Sequence, residues 1–142
     1  MEFTSNKQKG RAGLAMAIGY YGSHGYNVLL PLNDTQDYDL VIEKEGTFLK
    51  VNAKATGSSQ STNKDAFSVE LRHTGGTKGG IYGNVLEESA DILFCLDAKS
   101  RMYHIPIADI RAAGIKNTFS LVSKRPKTAN KSFFDSSVYL VS

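Results

Sequence analysis

The chain has 142 residues, 41% of them hydrophobic and 22% charged, with a formal net charge of +3. That size and balance predict one domain spanning 1–142 around a single core, and they exclude disorder as the default state. No apolar run approaches the roughly 18 residues of a membrane span, the opening "MEFTSNKQKGR" lacks the order of a secretory signal, and the lone Cys95 excludes a disulfide framework.

In chain order, a first helix is predicted from about Gln8 to Ser23, with Ser5 or Asn6 as N-cap and a stop near Gly25. Leu14, Ile18 and Tyr21 recur at helical spacing, and Ala12, Ala15 and Ala17 let the helix lie close to a sheet. "YNVLLPL" reads as a strand that Pro31 ends or confines to an edge. "YDLVIEKEGTFLKVNAKAT" is two strands about a turn, with Gly46 supplying the permissive backbone position. A polar loop, "GSSQSTNKD", leads to a strand over "AFSVELRH" and then to a Gly-rich mobile segment, "TGGTKGGIYG". "ADILFCLD" and "RMYHIPI" form a strand pair, "IADIRAAGI" a short helix, and "SFFDSSVYLVS" a last strand. Together these elements make an α+β domain.

One hairpin carries chemistry. Side chains alternate along a strand, so Asn52 and Lys54 share a face while Leu49, Val51 and Ala53 take the other. A two-residue turn would put Asp39 and Val41 on the face of Lys50, Asn52 and Lys54. A carboxylate and an amide oxygen are hard donors suited to Mg²⁺, with Mn²⁺ as a substitute. A metal there would stabilise charge on a phosphate and activate water, and a neighbouring lysine would orient that water or neutralise developing charge.

The stretch "NKQKGRAGLAMAIGYYGSHGYNVLLPLNDTQDYDLVIEKEGTFLKVNAKAT" resembles the PD-(D/E)XK endonuclease superfamily. More narrowly it is similar to the group I intron-associated homing endonuclease branch, with a core like that of Holliday junction resolvases. The likeness is good over residues 6 to 56 and looser through "FSVELRHTGG" and "ADILFCLDAKSRMYHIPIADI". It implies a restriction-endonuclease-like core, a central mixed or antiparallel sheet flanked by helices. It also implies that Asp39 binds metal, that Lys54 is the catalytic lysine, that Asn52 stands where the family has glutamate or glutamine, and that the Ala53 carbonyl completes the metal shell. Two positions depart from the pattern. "GRAGLA" puts Leu14 where the family commonly has a helix glutamate, and Asn52 is one methylene shorter than glutamine. Asp34, Asp37 and Glu70 are the acids that could take the missing role.

Basic residues cluster in two places: Lys7, Lys9 and Arg11 near the start, and Lys116, Lys124, Arg125, Lys127 and Lys131 in a stretch free of acids. Such clusters mark a phosphate-bearing partner. With Lys78 in the Gly-rich segment, they are the candidate contacts to double-stranded DNA. "TGGTKGG" lacks the order of a P-loop, and no two of His24, His73 and His104 share a metal-ligand spacing, so all three read as structural or surface residues. The reading is a metal-dependent DNA endonuclease, dimeric or tetrameric because cutting both strands needs two sites. It would work in the cytoplasm of a bacterial or phage-infected cell. The alternative is a catalytically weakened or inactive DNA-binding protein on the same fold.

Overall fold

The computed structural model describes residues 2–33, 35–75 and 80–142, with residues 74 and 75 described in their backbone alone. Asp34 and Lys78, both named above, lie outside the described residues. Helix α1 spans Asn6–Ser23 because both ends are capped. Ser5 Oγ accepts from the Gln8 N–H at 3.1 Å, satisfying a donor that the helix cannot. At the other end Gly25 adopts φ +86°, and the Tyr26 N–H reaches back to the Tyr21 carbonyl at 3.1 Å.

Five strands form the main sheet in the order β1-β2-β3-β7-β8. They are β1 (Asn27–Leu29), β2 (Leu40–Lys44), β3 (Thr47–Thr56), β7 (Ile92–Asp97) and β8 (Met102–Pro106). The hairpin β2–β3 closes through Glu45 and Gly46 at φ +52° and +83°, so its loop has two residues of the twist-matched hairpin class. β3 then pairs with β7 in parallel, and β7 with β8 antiparallel. The sheet is therefore mixed. β7 is buried along its whole length, which explains its unbroken apolar run: both faces are covered.

The two faces hold two cores. On one, α1 lays Gly13, Ala17 and Tyr21 against Leu40, Ile42, Val51, Ile92, Phe94 and Leu96. On the other, Leu93, Cys95, Tyr103 and Ile105 pack with Phe67, Val69, Leu71, Phe119 and Leu121, and with Ile107 and Ile110 of α2 (Ile107–Ala112). Phe67, Val69, Phe119 and Leu121 belong to a small sheet of β4 (Phe67–Glu70) and β9 (Thr118–Leu121). A separate two-stranded ribbon joins β5 (Arg72–Gly75) to β6 (Gly80–Asn84). No described helix is long and apolar enough to cross a membrane.

Three predicted elements change. "AFSVELRH" is two strands, because the chain swaps partner from β9 to β6 at the buried Leu71. The Gly-rich stretch, expected to be mobile throughout, supplies β6 in its second half. The tail forms a 3-10 turn at Ser136–Tyr139 and keeps one bridge, Tyr103 to Leu140, in place of a strand. Side-chain bonds compete with the ladder there: buried Ser136 Oγ accepts from the Val122 N–H and donates to the Ser120 carbonyl, and Asp135 caps Ser137.

Candidate active site

The register of β2 on β3 pairs Leu40 with Val51, which sets Asp39 opposite Asn52. β2 begins at Leu40, while β3 runs on to Thr56, and among the described residues Asp39 bonds to this edge just past the paired stretch. Within a strand the N–H and C=O of one residue point to the same side. The Val51 carbonyl accepts from the Asp39 N–H at 2.9 Å, and the Ala53 N–H donates to Asp39 Oδ2 at 2.7 Å. The Ala53 carbonyl therefore points to this same edge. Asp39 keeps one carboxylate oxygen outside that bond.

Asn52 is buried and Lys54 half-buried on the face away from α1, so the expected common face is present. Asn52 Nδ2 donates to the Asp37 carbonyl at 3.5 Å, at the outer limit for such a bond, and its amide oxygen takes no part in that contact. Asp39 retains exposed surface, but protein surrounds its other sides. Desolvation pushes its carboxyl pKa up, against the pull of the Ala53 N–H, Lys54 and His73. Desolvation likewise pushes the Lys54 ammonium down, opposed by Cys95, Asp39, Glu70 and Glu88. Cys95 lies beside Lys54 across the β3–β7 register, and burial raises its thiol to about 12, which leaves it inert.

A cleft of about 550 Å³ opens along the uncovered edge of β3. Asn6, Lys9 and Gly10 of α1 form one wall, Ala53 to Thr56 the floor, and Glu70, Arg72, His73 and Tyr82 the other wall. Gly13 allows this arrangement. A Cβ there would stand 3.2 Å from the Lys54 carbonyl carbon, so any larger residue would have to push the helix and the lysine's strand apart by a few tenths of an ångström.

Leu14 is turned into the α1-side core and does not line the cleft. Of the acids considered as replacements, Asp37 is held by the backbone and hydroxyl of Ser89, and Glu70 is held by Arg72 at 2.5 Å. The sequence reading passed over Glu88. It acts on the charges of both Asp39 and Lys54 and binds His73 Nε2 at 2.6 Å. His73, read as structural, lines the cleft. No local motif announces the pair, because 15 residues and a ribbon separate its members.

Among the described residues, no three His, Cys, Asp or Glu side chains gather as metal ligands. A divalent ion would instead find one carboxylate oxygen of Asp39, the Ala53 carbonyl and the Asn52 amide oxygen. That all-oxygen donor set suits Mg²⁺ or Mn²⁺ and is unsuited to softer ions. Of the basic candidates, Lys9 stands in the cleft wall, Lys7 and Arg11 are exposed on α1, and Lys124, Arg125 and Lys127 lie exposed beyond β9, outside the cleft.

The family model described as PD-(D/E)XK endonuclease matches residues 4–139. Among solved structures, the chain is similar to a bacterial homing endonuclease, I-Ssp6803I, with a TM-score of 0.73 and 25% identity, covering 96% of this chain and 88% of that one. No curated protein sequence is significantly similar.

Proposed function

The chain belongs to the PD-(D/E)XK endonuclease family, and from that premise and the cleft we propose a divalent-metal-dependent enzyme that hydrolyses phosphodiester bonds in duplex DNA. A homing-endonuclease-like role, acting as a dimer or tetramer so that both strands are reached, fits the similarity to I-Ssp6803I and the two-fold symmetry of a duplex cut. The observation that carries the reading is the bond from the Ala53 N–H to Asp39 Oδ2 at 2.7 Å. It fixes the carboxylate at the point where β2 leaves β3, beside Asn52 and Lys54.

Asp39, the Ala53 carbonyl and Asn52 would hold the ion. A bound Mg²⁺ would supply charge stabilisation at the phosphate and acidify water. The chain's own groups do the rest. Lys54 lines the cleft floor, where its ammonium would neutralise charge developing on phosphate oxygens. Partial desolvation strengthens that interaction. Lys9, Arg72 and the other exposed basic residues attract the backbone before chemistry begins.

A second reading, a DNA-binding protein with weakened cleavage, is favoured by Leu14. It packs, partly buried, against the α1-side core, and the cleft has one acid fewer than the family pattern. One experiment separates the two. Supercoiled plasmid is incubated with Mg²⁺ or Mn²⁺, then with EDTA, beside Asp39→Ala and Lys54→Ala. The enzyme reading expects metal-dependent nicking that falls at least about 100-fold in each variant. Salt-sensitive binding without nicking supports the second reading, and absence of both overturns each.

A further inference from the structure

The carboxylate–imidazole pair on the ribbon side of the cleft has no place in the chemistry described so far. His73 Nε2 and Glu88 Oε1 are 2.6 Å apart, and both side chains are only about a fifth exposed, at 19% and 21%. The ring is gripped on two further sides. Tyr82 stacks on its face, with centroids 5.6 Å apart and planes 20° apart. Gly83 approaches its Cδ2 edge so closely that a Cβ would stand 3.4 Å away. Glu88, Tyr82 and Gly83 thus take Nε2, one face and the Cδ2 edge. Among the described residues, no hydrogen bond engages Nδ1. The ring lines the cleft that holds Lys54, and its charge reaches Asp39.

A carboxylate on one imidazole nitrogen fixes the proton there and presents the lone pair of the other. We propose that His73 is the general base of this enzyme, its tautomer set by the positioning residue Glu88, and that Nδ1 takes the proton of the attacking water. The inference rests on the nuclease reading above. In the step, a water O–H bond breaks, with its proton passing to Nδ1 and its oxygen forming the new P–O bond. One P–O ester bond breaks, and the departing oxygen is protonated from solvent. The arrangement answers a specific deficit. With Leu14 in place of an acid, the site would hold its ion less tightly, and a base on the protein would keep water activation from resting on the ion alone.

The test compares the wild type with His73→Ala, Glu88→Gln and Lys54→Ala in plasmid nicking and DNA binding, with far-ultraviolet circular dichroism as the folding control. Removing His73 is expected to lower kcat about 100-fold or more, with KM and DNA affinity unchanged and with partial rescue by added imidazole. Glu88→Gln, which keeps the side chain's shape, is expected to lower kcat about 10-fold. Independently of activity, nitrogen-15 NMR of the wild type at alkaline pH should show His73 protonated on Nε2 and bare on Nδ1. An Nδ1–H tautomer overturns the proposal, as does full nicking by His73→Ala while Lys54→Ala is inactive. A wild type that binds DNA and never cuts overturns the nuclease reading and the base with it.

Discussion

Gly13 is where packing and chemistry meet, and Gly13→Ala puts a number on the connection. In a helix interior alanine is favoured over glycine by about 1 kcal/mol. At Gly19, where a Cβ meets nothing within 4 Å, that gain should be fully expressed. For a chain of this size it corresponds to about 3–4 °C in Tm. At Gly13 the same atom falls 3.2 Å from the Lys54 carbonyl carbon, 3.4 Å from the Ala55 nitrogen and 3.5 Å from the Ala55 Cβ. The first two belong to the backbone of a strand paired to β7 and cannot swing aside. Overpacking of this kind costs about 1–3 kcal/mol, so the expected net change is a loss of about 0–2 kcal/mol, and Gly13→Val should lose about 3 kcal/mol. Relief would displace β3 by a few tenths of an ångström and carry Ala53 and Lys54 with it. Because about 1 Å of misplacement can cost 100-fold in rate, nicking should fall roughly 10-fold in Gly13→Ala. Thermal melting and plasmid nicking of Gly13→Ala beside Gly19→Ala read both effects. If the two variants gain the same stability and both cut at the wild-type rate, the close approach does not hold the site.

Asp97 is fully buried, with Arg101 Nε at 2.6 Å and the backbone N–H groups of Lys99 and Arg101 on its other oxygen. Asp97→Ala leaves the half-buried guanidinium without that partner and should cost about 3–5 kcal/mol in denaturant unfolding. Asp65 is held down to about 2 by Lys99 first, then Ser123 and Arg101. A depressed carboxylate contributes stability that is present above its ordinary value of 3.8 and lost as pH falls through about 2. Asp65→Asn should therefore flatten the acid limb of the stability curve in that window and leave the rest. Asp39 has the opposite sign. Its raised pKa means that ionisation opposes folding, with a penalty absent below 3.8, growing as pH rises towards the folded value and constant above it. Asp39→Asn should melt higher than the wild type at neutral pH and not at acid pH, while cutting is lost.

Local signals carried the first half of the molecule. Ser5 and Gly25 bracket α1 as caps do anywhere, and a Glu-Gly turn with alternating flanks fixes the register that puts Asp39 opposite Asn52. The resemblance noted over residues 6–56 accordingly extends, as a family match, over 4–139. The second half depends on partners remote in sequence. Nothing in "AFSVELRH" says that the chain changes sheets at Leu71, since apolar residues continue in step across the switch. β9 was hidden because Thr118–Leu121 lies within a basic stretch that reads as a surface for phosphate. His73 and Glu88 meet through the folding of the β5–β6 ribbon back on the cleft, a tertiary event without a spacing rule. Leu14 shows the reverse case: the helical spacing it shares with Ile18 and Tyr21 keeps it, partly buried, against the α1-side core and out of the cleft.

Lys54 in the cleft floor and Asp39 at the edge of β3 are both held at a disadvantage. Desolvation opposes the carboxylate of Asp39 and the ammonium of Lys54 alike, and their mutual attraction does not fully offset either penalty. On the proposed function, a cation arriving at Asp39 and an anion at Lys54, a metal ion with its phosphate, would relieve both penalties at once. Because binding to the folded state alone stabilises it by mass action, Mg²⁺ and DNA together should raise Tm by more than the sum of their separate effects. That excess should vanish in Lys54→Ala.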